Sequence, residues 1–325
     1  MDRFFECALF VAGLVFGSFL NVCIARIPRD ESVVRPRSHC RTCGAPIRWW
    51  HNLPVLSFLL LRGRCRDCGS PISLRYPVVE LLTGVIFAAC YLWFGPSWTT
   101  LKFCVLGFLL IGLIFMDAET GLLPHEFTYP GIVLGLAFAW VAPGDAGGTW
   151  LLLAAFHKHV VSVRALSLLD STLGALVGAA FFYVAWALYY LVRKRHGLGF
   201  GDIALIAMTG AFLGLKLNLV VIFCGPILTL IYVIGLLAYE TIRPRVGSAT
   251  DSASAQGEPG DAATESAAPA FLQRELPFGV FLGTSALATI FFGEAASACY
   301  LGQFHTTVLS SLQGVRVPRS FAIFE

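Results

Sequence analysis

Long runs of apolar residues alternate with short polar and basic stretches along the 325 residues of the chain. The runs recur in blocks of roughly 17–24 residues, the length a helix needs to cross a bilayer. They predict helices over approximately 4–25, 76–95, 99–117, 127–142, 171–192, 202–215, 217–239 and 277–300. The sixth is short; if its break from the seventh near Lys216 is only a bend, eight spans become seven. A helix satisfies its own backbone hydrogen bonds, as lipid demands, and no alternating barrel pattern competes. The expected fold class is therefore all-α, a polytopic membrane helix bundle of about eight spans with a small loop domain after the first.

Composition agrees with this pattern. Hydrophobic residues make up 57% of the chain and charged residues 13%, against about 45–50% and 25% in an ordinary soluble domain. A net charge of +3 makes no case for a nucleic-acid partner. The first block could pass for a signal peptide. It opens on Asp2, Arg3 and Glu6 rather than a basic segment, and Arg26, Pro28 and Arg29 follow it where a small-residue cleavage site would lie. It reads as a retained helix.

The distribution of charge orients the bundle. Between Arg26 and Arg75 lie ten arginines (26, 29, 35, 37, 41, 48, 62, 64, 66 and 75) against three acids, Asp30, Glu31 and Asp67. With eight spans, the loops 118–126, 193–201 and 240–276 share that side and bring its total to 16 of the 23 Lys and Arg. The positive-inside rule makes that side cytoplasmic and puts both termini outside. Two stretches read as insertions. Residues 143–170 form a mixed outer loop, and 246–270, almost wholly small and polar, read as a disordered cytoplasmic linker.

Of ten cysteines, Cys7, Cys23, Cys90, Cys104, Cys224 and Cys299 lie singly in apolar segments, where a thiol behaves as a small hydrophobe. The other four form matched knuckles, Cys40-Arg-Thr-Cys43-Gly44 and Cys65-Arg-Asp-Cys68-Gly69. Two thiolates at that spacing bite one tetrahedral Zn²⁺, and the glycine relieves the turn behind them. Two disulfides or a redox pair are the alternatives. A reducing cytoplasm disfavours the first, and the matching of the knuckles disfavours the second. A zinc staple also suits a loop of about 50 residues with few large apolar groups. With four Cys ligands the metal organises rather than catalyses.

Ionisable groups within spans are functional candidates. Asp117 closes the apolar run Leu109-Leu-Ile-Gly-Leu-Ile-Phe-Met-Asp117, and Asp202 sits in Gly199-Phe-Gly201-Asp202. The topology puts both at the cytoplasmic ends of their helices. Two close carboxyls hold one proton between them, so one polarises a carbonyl while the other activates water, as in aspartic proteases. The same residues would serve as simple helix caps or as the proton relay of a transporter. A scaffold whose zinc loop binds a partner is a further alternative. Glu80 is expected to be salt-bridged or placed in a first turn; Glu119 and Glu126 line the loop beyond Asp117; Glu294 is interfacial; His125 lies close enough in sequence to touch the site.

Taken together, these residues resemble the prepilin peptidase family, membrane aspartic proteases of type IV pili and type II secretion. The segments that carry the likeness are Gly17-Ser-Phe-Leu-Asn-Val22 with Arg26-Ile-Pro28, the paired knuckles, and Ser73-Leu-Arg-Tyr-Pro-Val-Val-Glu-Leu-Leu82. Asp117, Gly199-Phe-Gly-Asp202 and Leu276-Pro-Phe-Gly-Val-Phe-Leu282 complete it. The resemblance implies a first transmembrane helix (1–25), a cytoplasmic zinc-binding, methylation-associated domain (26–75) and a peptidase domain (76–325). It implies Asp117 and Asp202 as catalytic, and Cys40, Cys43, Cys65 and Cys68 as metal ligands. It further implies cleavage of basic leaders from prepilins or pseudopilins at a bacterial inner membrane, then N-methylation with S-adenosylmethionine. Membrane lipids are the other expected partner. Two positions depart from the family pattern: His125 stands where Asp is usual after the proline, and Ala204 where Lys is usual.

Overall fold

The computed structural model describes residues 2–48, 50, 53–144, 149, 162–194, 199–242 and 277–311, except the side chains of 240–242 and 296–311. The predicted linker 246–270 and most of the 143–170 stretch lie outside the described residues. The described residues form helices without a strand; two isolated bridges, His39 to Pro46 and Arg64 to Pro71, are the only sheet-like pairings among them.

Helix α1 (Asp2–Arg26) ends in a single 3₁₀ turn, Ile27–Arg29, stopped by Asp30 in the left-handed region at φ 56°. A short α2 (Leu56–Leu60) lies within the cysteine loop, and α3 (Arg75–Phe94) follows it. The serine Ser97 caps α4 (Trp98–Thr120) by accepting from the Thr100 amide, and Gly121 closes it with an N–H to Asp117 O. Next come α5 (His125–Val141), α6 (Val163–Arg193), α7 (Phe200–Ile242) and α8 (Phe278–Ser311). The sequence pattern starts the α6 segment at about 171. The helix begins eight residues earlier because the Ser162 side chain caps the amide of Ala165, so 163–170 is helix and not outer loop.

Among the described residues six helices are long and apolar enough to cross a membrane, which makes this a multi-pass membrane protein. The count is below the eight expected for two reasons. Helix α5 has 17 residues, and α7 joins two helical arms across a break at Gly214, with φ 79° and ψ 179°, so that two expected segments fall in one element. Its apolar stretch of 40 residues would span about 60 Å if straight, twice the hydrocarbon thickness. It does not run straight. Lys216 pairs with Glu294 at 3.0 Å, Gly225 abuts Leu282, and Tyr232 stacks near Phe281 at 5.1 Å. The second arm therefore descends α8 in reverse, and the break falls at Gly214, two residues before the position the sequence suggests.

Glycines let these helices approach closely. Gly13 and Gly17 of α1, four apart, rest on the backbones of Gly84 and Glu80 in α3. Gly174 and Gly178 of α6 rest on Gly214, Gly210 and Ile206 of α7. Small residues at this spacing are the usual means of helix packing in lipid. A polar tie joins the second pair: Asn218 Nδ2 donates to Gly174 O at 2.9 Å, and Thr209 Oγ1 donates to Asn218 Oδ1 at 2.8 Å. The core between helices is apolar, with Leu20, Leu106, Leu110, Leu113, Leu205 and Phe212 fully buried.

The helix ends sort onto two faces. On one, Arg75 pairs with Glu119, Leu123 touches Gly201 and Gly279, and Val280 meets Asp117. On the other, Lys102, Gly144, Asp170, Gly214 and Glu294 line a common small cavity. This sorting matches the alternation of loops that eight crossings require. Gly214→Val should destabilise the protein by about 1–3 kcal/mol of backbone strain, and its side chain would also overlap the Asp170 carboxylate. Gly235→Ala, with open space around it, should leave the melting temperature in detergent unchanged or slightly raised. Equal melting temperatures for the two variants would rule out this account of the break.

Candidate active site and cysteine cluster

The two cysteine knuckles are built alike. Cys40 N donates to Ala45 O at 2.9 Å and Gly44 N to Cys40 O at 2.9 Å; Cys65 N donates to Ser70 O at 2.8 Å and Gly69 N to Cys65 O at 2.9 Å. Both glycines sit at φ 73°, with nothing within 4 Å of a would-be Cβ. Glycine is therefore needed here for backbone conformation and not for space. The four sulfurs lie within 4.8 Å of one another. The Cys40 to Cys68 separation is 3.9 Å, far beyond the roughly 2.05 Å of a disulfide. It is close to the about 3.8 Å that Zn–S bonds of about 2.3 Å impose in a tetrahedron. The Cys43 amide leads in holding the Cys40 thiol down to about 6, and the Ser70 hydroxyl leads in holding Cys68 below its usual value. The donor set thus fits a closed zinc site.

The module is tied to the bundle at two points. Arg26 donates to Ser32 O at 2.9 Å and to Pro36 O at 2.8 Å. Val55, strained at φ 59°, donates its amide to Glu80 Oε2 at 2.7 Å. Glu80 was expected to be a salt-bridged or first-turn residue; it is instead buried, five residues into α3, and holds a backbone amide of the loop.

Asp117 lies in the last turn of α4 and Asp202 at the third position of α7; both are buried. Asp117 Oδ2 accepts from the Val280 amide at 2.9 Å, and Gly279 packs against the same carboxylate. The start of α8 thereby fixes the Asp117 side chain. Asp202 lies within the electrostatic reach of Asp117, and the Gly199 amide faces its carboxyl. Leu123 touches Gly201 on one side and Gly279 on the other. Any side chain at either glycine would close the space between the two helix ends.

Other sequence candidates fall outside this pair. His125 is exposed and stacks on Tyr129 at 4.6 Å. Glu119 is bound to Arg75 at 2.7 Å and Glu294 to Lys216. Ala204 is buried in the core. Gly279 and Val280, quoted from the sequence without a role, hold Asp117. A second polar group escaped the sequence reading altogether. At the opposite face Asp170 accepts from the Thr149 hydroxyl and from Leu215 N, and buried Lys102 lies within its field. Between that group and the dyad, α4 presents Leu106, Leu109, Leu110, Leu113 and Met116, all buried.

Comparison with known proteins identifies a family for the chain. Residues 11–94 match the model of the Bacterial Peptidase A24 N-terminal domain, and residues 104–234 match the Type IV leader peptidase family. A prepilin leader peptidase/N-methyltransferase of Myxococcus xanthus is 39% identical over 78% of this chain and 70% of its own. Proteins of the same name from Neisseria gonorrhoeae, 38% identical over 68% of this chain and 78% of theirs, and Aeromonas hydrophila, 31% over 91% and 93%, are similar too. No solved structure matches. On these matches the chain belongs to the type IV leader peptidase family, with the buried aspartates of α4 and α7 inside the peptidase segment.

Proposed function

We propose that this protein removes the leader of prepilins or pseudopilins by aspartate-activated water and then N-methylates the residue exposed. The observation that carries the reading is the meeting of Asp117 and Asp202, from helices distant in sequence, at one face of the bundle. Of the two carboxyls, the protonated one donates to the scissile carbonyl oxygen while the ionised one takes a proton from water. The attacking water then forms the new carboxylate, and the leaving amine collects a proton from the pair. No covalent intermediate is needed. The Gly279 and Val280 backbone holds Asp117 in place. Gly201 lets Leu123 pack closely against the start of α7 beside the pair.

The basic side of the bundle faces the cytoplasm of a bacterial inner membrane. Sixteen of the 23 basic residues support this orientation, as does the gathering of Arg26, Arg75 and Glu119 around one cavity beside the knuckles. Cys40, Cys43, Cys65 and Cys68 hold a structural Zn²⁺, S-adenosylmethionine is the methyl donor, and 26–75 is the cytoplasmic module over a 76–325 peptidase domain.

Asp117→Asn and Asp202→Asn should each lower kcat/KM for leader cleavage by about 10²–10⁴-fold while insertion into the membrane stays normal. Processing of a prepilin by either variant at the wild-type rate would reject the dyad. Metal analysis of the purified protein should find about one zinc per chain. Cys40→Ser should release it and impair folding of the module or methyl transfer more than hydrolysis. Full zinc content in a variant with all four cysteines replaced by serine would refute the ligand assignment.

A further inference from the structure

Hydrolysis and methyl transfer ask for different surroundings. The dyad cleft supplies two carboxyls between close-packed helix ends. Methyl transfer needs a nucleophilic amine held about 3–3.5 Å from the methyl carbon, beside room for a nucleoside-sized donor. A cavity of about 900 Å³ lies between the cysteine module and the ends of α1 and α3, within the roughly 300–1,000 Å³ of small-molecule sites.

Two buried polar side chains on its lining have unmet needs. Asn21 is 2% exposed; its Nδ2 donates to Tyr76 O at 3.0 Å, and its Oδ1 has no partner. Glu80 is 7% exposed and receives the Val55 amide and the Ser18 hydroxyl, yet no Lys or Arg pairs with it among the described residues. A buried carboxylate without a counter-charge, on the same cavity lining as an orphaned amide oxygen, suits a cation that donates hydrogen bonds. The new N-terminus of a cleaved peptide is such a cation, a primary ammonium.

The cavity also connects to the dyad. Glu119, two residues beyond Asp117, is part of its lining, and Arg75 clamps Glu119 to the helix that carries Glu80. We infer that Glu80 and Asn21 form the amine end of a second site, in which the freed N-terminus is held and methylated under the cysteine module. The inference rests on the two-activity reading above. The substrate ammonium donates to Glu80 and to Asn21 Oδ1 and gives one proton to Glu80, which exposes the nitrogen lone pair. A bound sulfonium donor supplies the methyl group: the N–C bond forms as the C–S bond breaks, and the sulfur keeps the electron pair as a thioether. Glu80 then releases its proton to water. Arg29, Arg41 and Arg48 on the lining offer partners for the carboxylate of an amino-acid-bearing donor.

The test uses the full-length protein in detergent and a peptide that already has a free N-terminus, so that cleavage is bypassed. Glu80→Gln keeps the acceptor for the Val55 amide but takes no proton; it should lower kcat for methyl transfer at least about 10²-fold. Direct ultraviolet crosslinking of radiolabelled S-adenosylmethionine should place label within 18–48 or 65–80. Wild-type methylation by Glu80→Gln, with the loop still anchored, would reduce Glu80 to a structural anchor and overturn the inference. Label confined to the helix ends around Asp117, Asp202 and Gly279 would overturn it as well. A wild-type protein that cleaves leaders but neither binds donor nor methylates peptide would instead sink the two-activity reading itself.

Discussion

A carboxylate at the far end of the bundle secures the chain reversal on which the site depends. Breaking a helix inside a membrane strands amides and carbonyls that lipid cannot satisfy. At Gly214 the break is met by Asp170, which accepts from Leu215 N and from the Thr149 hydroxyl. The second arm of α7 can then return beside α8, so that α8 begins next to α4. Without that return the Gly279 and Val280 amides would lie at the opposite face from Asp117. The dyad is thus a consequence of crossing number as much as of motif.

The cysteine module depends on the bundle in a different way. Its knuckles are local, each closed by its own backbone hydrogen bonds, and four thiols at metal-binding distance can staple them. Its placement is not local. It comes from Arg26, which receives the loop as the chain leaves α1, and from Glu80, which holds Val55 as the chain approaches α3. Both anchors lie on helices pressed together through Gly13, Gly17 and Gly84. The close contact of α1 with α3 therefore fixes the depth at which the module sits.

What the sequence could disclose followed the range of the interactions. Knuckles spaced two residues apart, capped by glycines and separated by a fixed interval, are short-range features and stand as the sequence predicts. Apolar runs of bilayer length gave the helices, though not their ends: Ser162 extends α6 backwards, and Gly214 rather than Lys216 turns α7. Asp117 and Asp202 were legible because loop charge sorted their helix ends onto one side. Asp170 was not, because its partner Leu215 lies 45 residues downstream and nothing near it in sequence signals a capping role. Glu80 was misjudged for the same reason, since its partner is a main-chain amide 25 residues away.

The separation of the cysteine cluster from the acid pair also constrains the chemistry. A metal closed in by four thiolates would have no coordination position for water, so the proposed hydrolysis would draw nothing from it. What the module contributes is enclosure: it roofs the cavity above Asn21 and Glu80. Glu119, two residues beyond Asp117, lies on the lining of that cavity and is held there by Arg75. On the proposed reading, a peptide end freed at Asp117 and Asp202 would reach Glu80 along the wall that this ion pair holds together, on the face where it was cut.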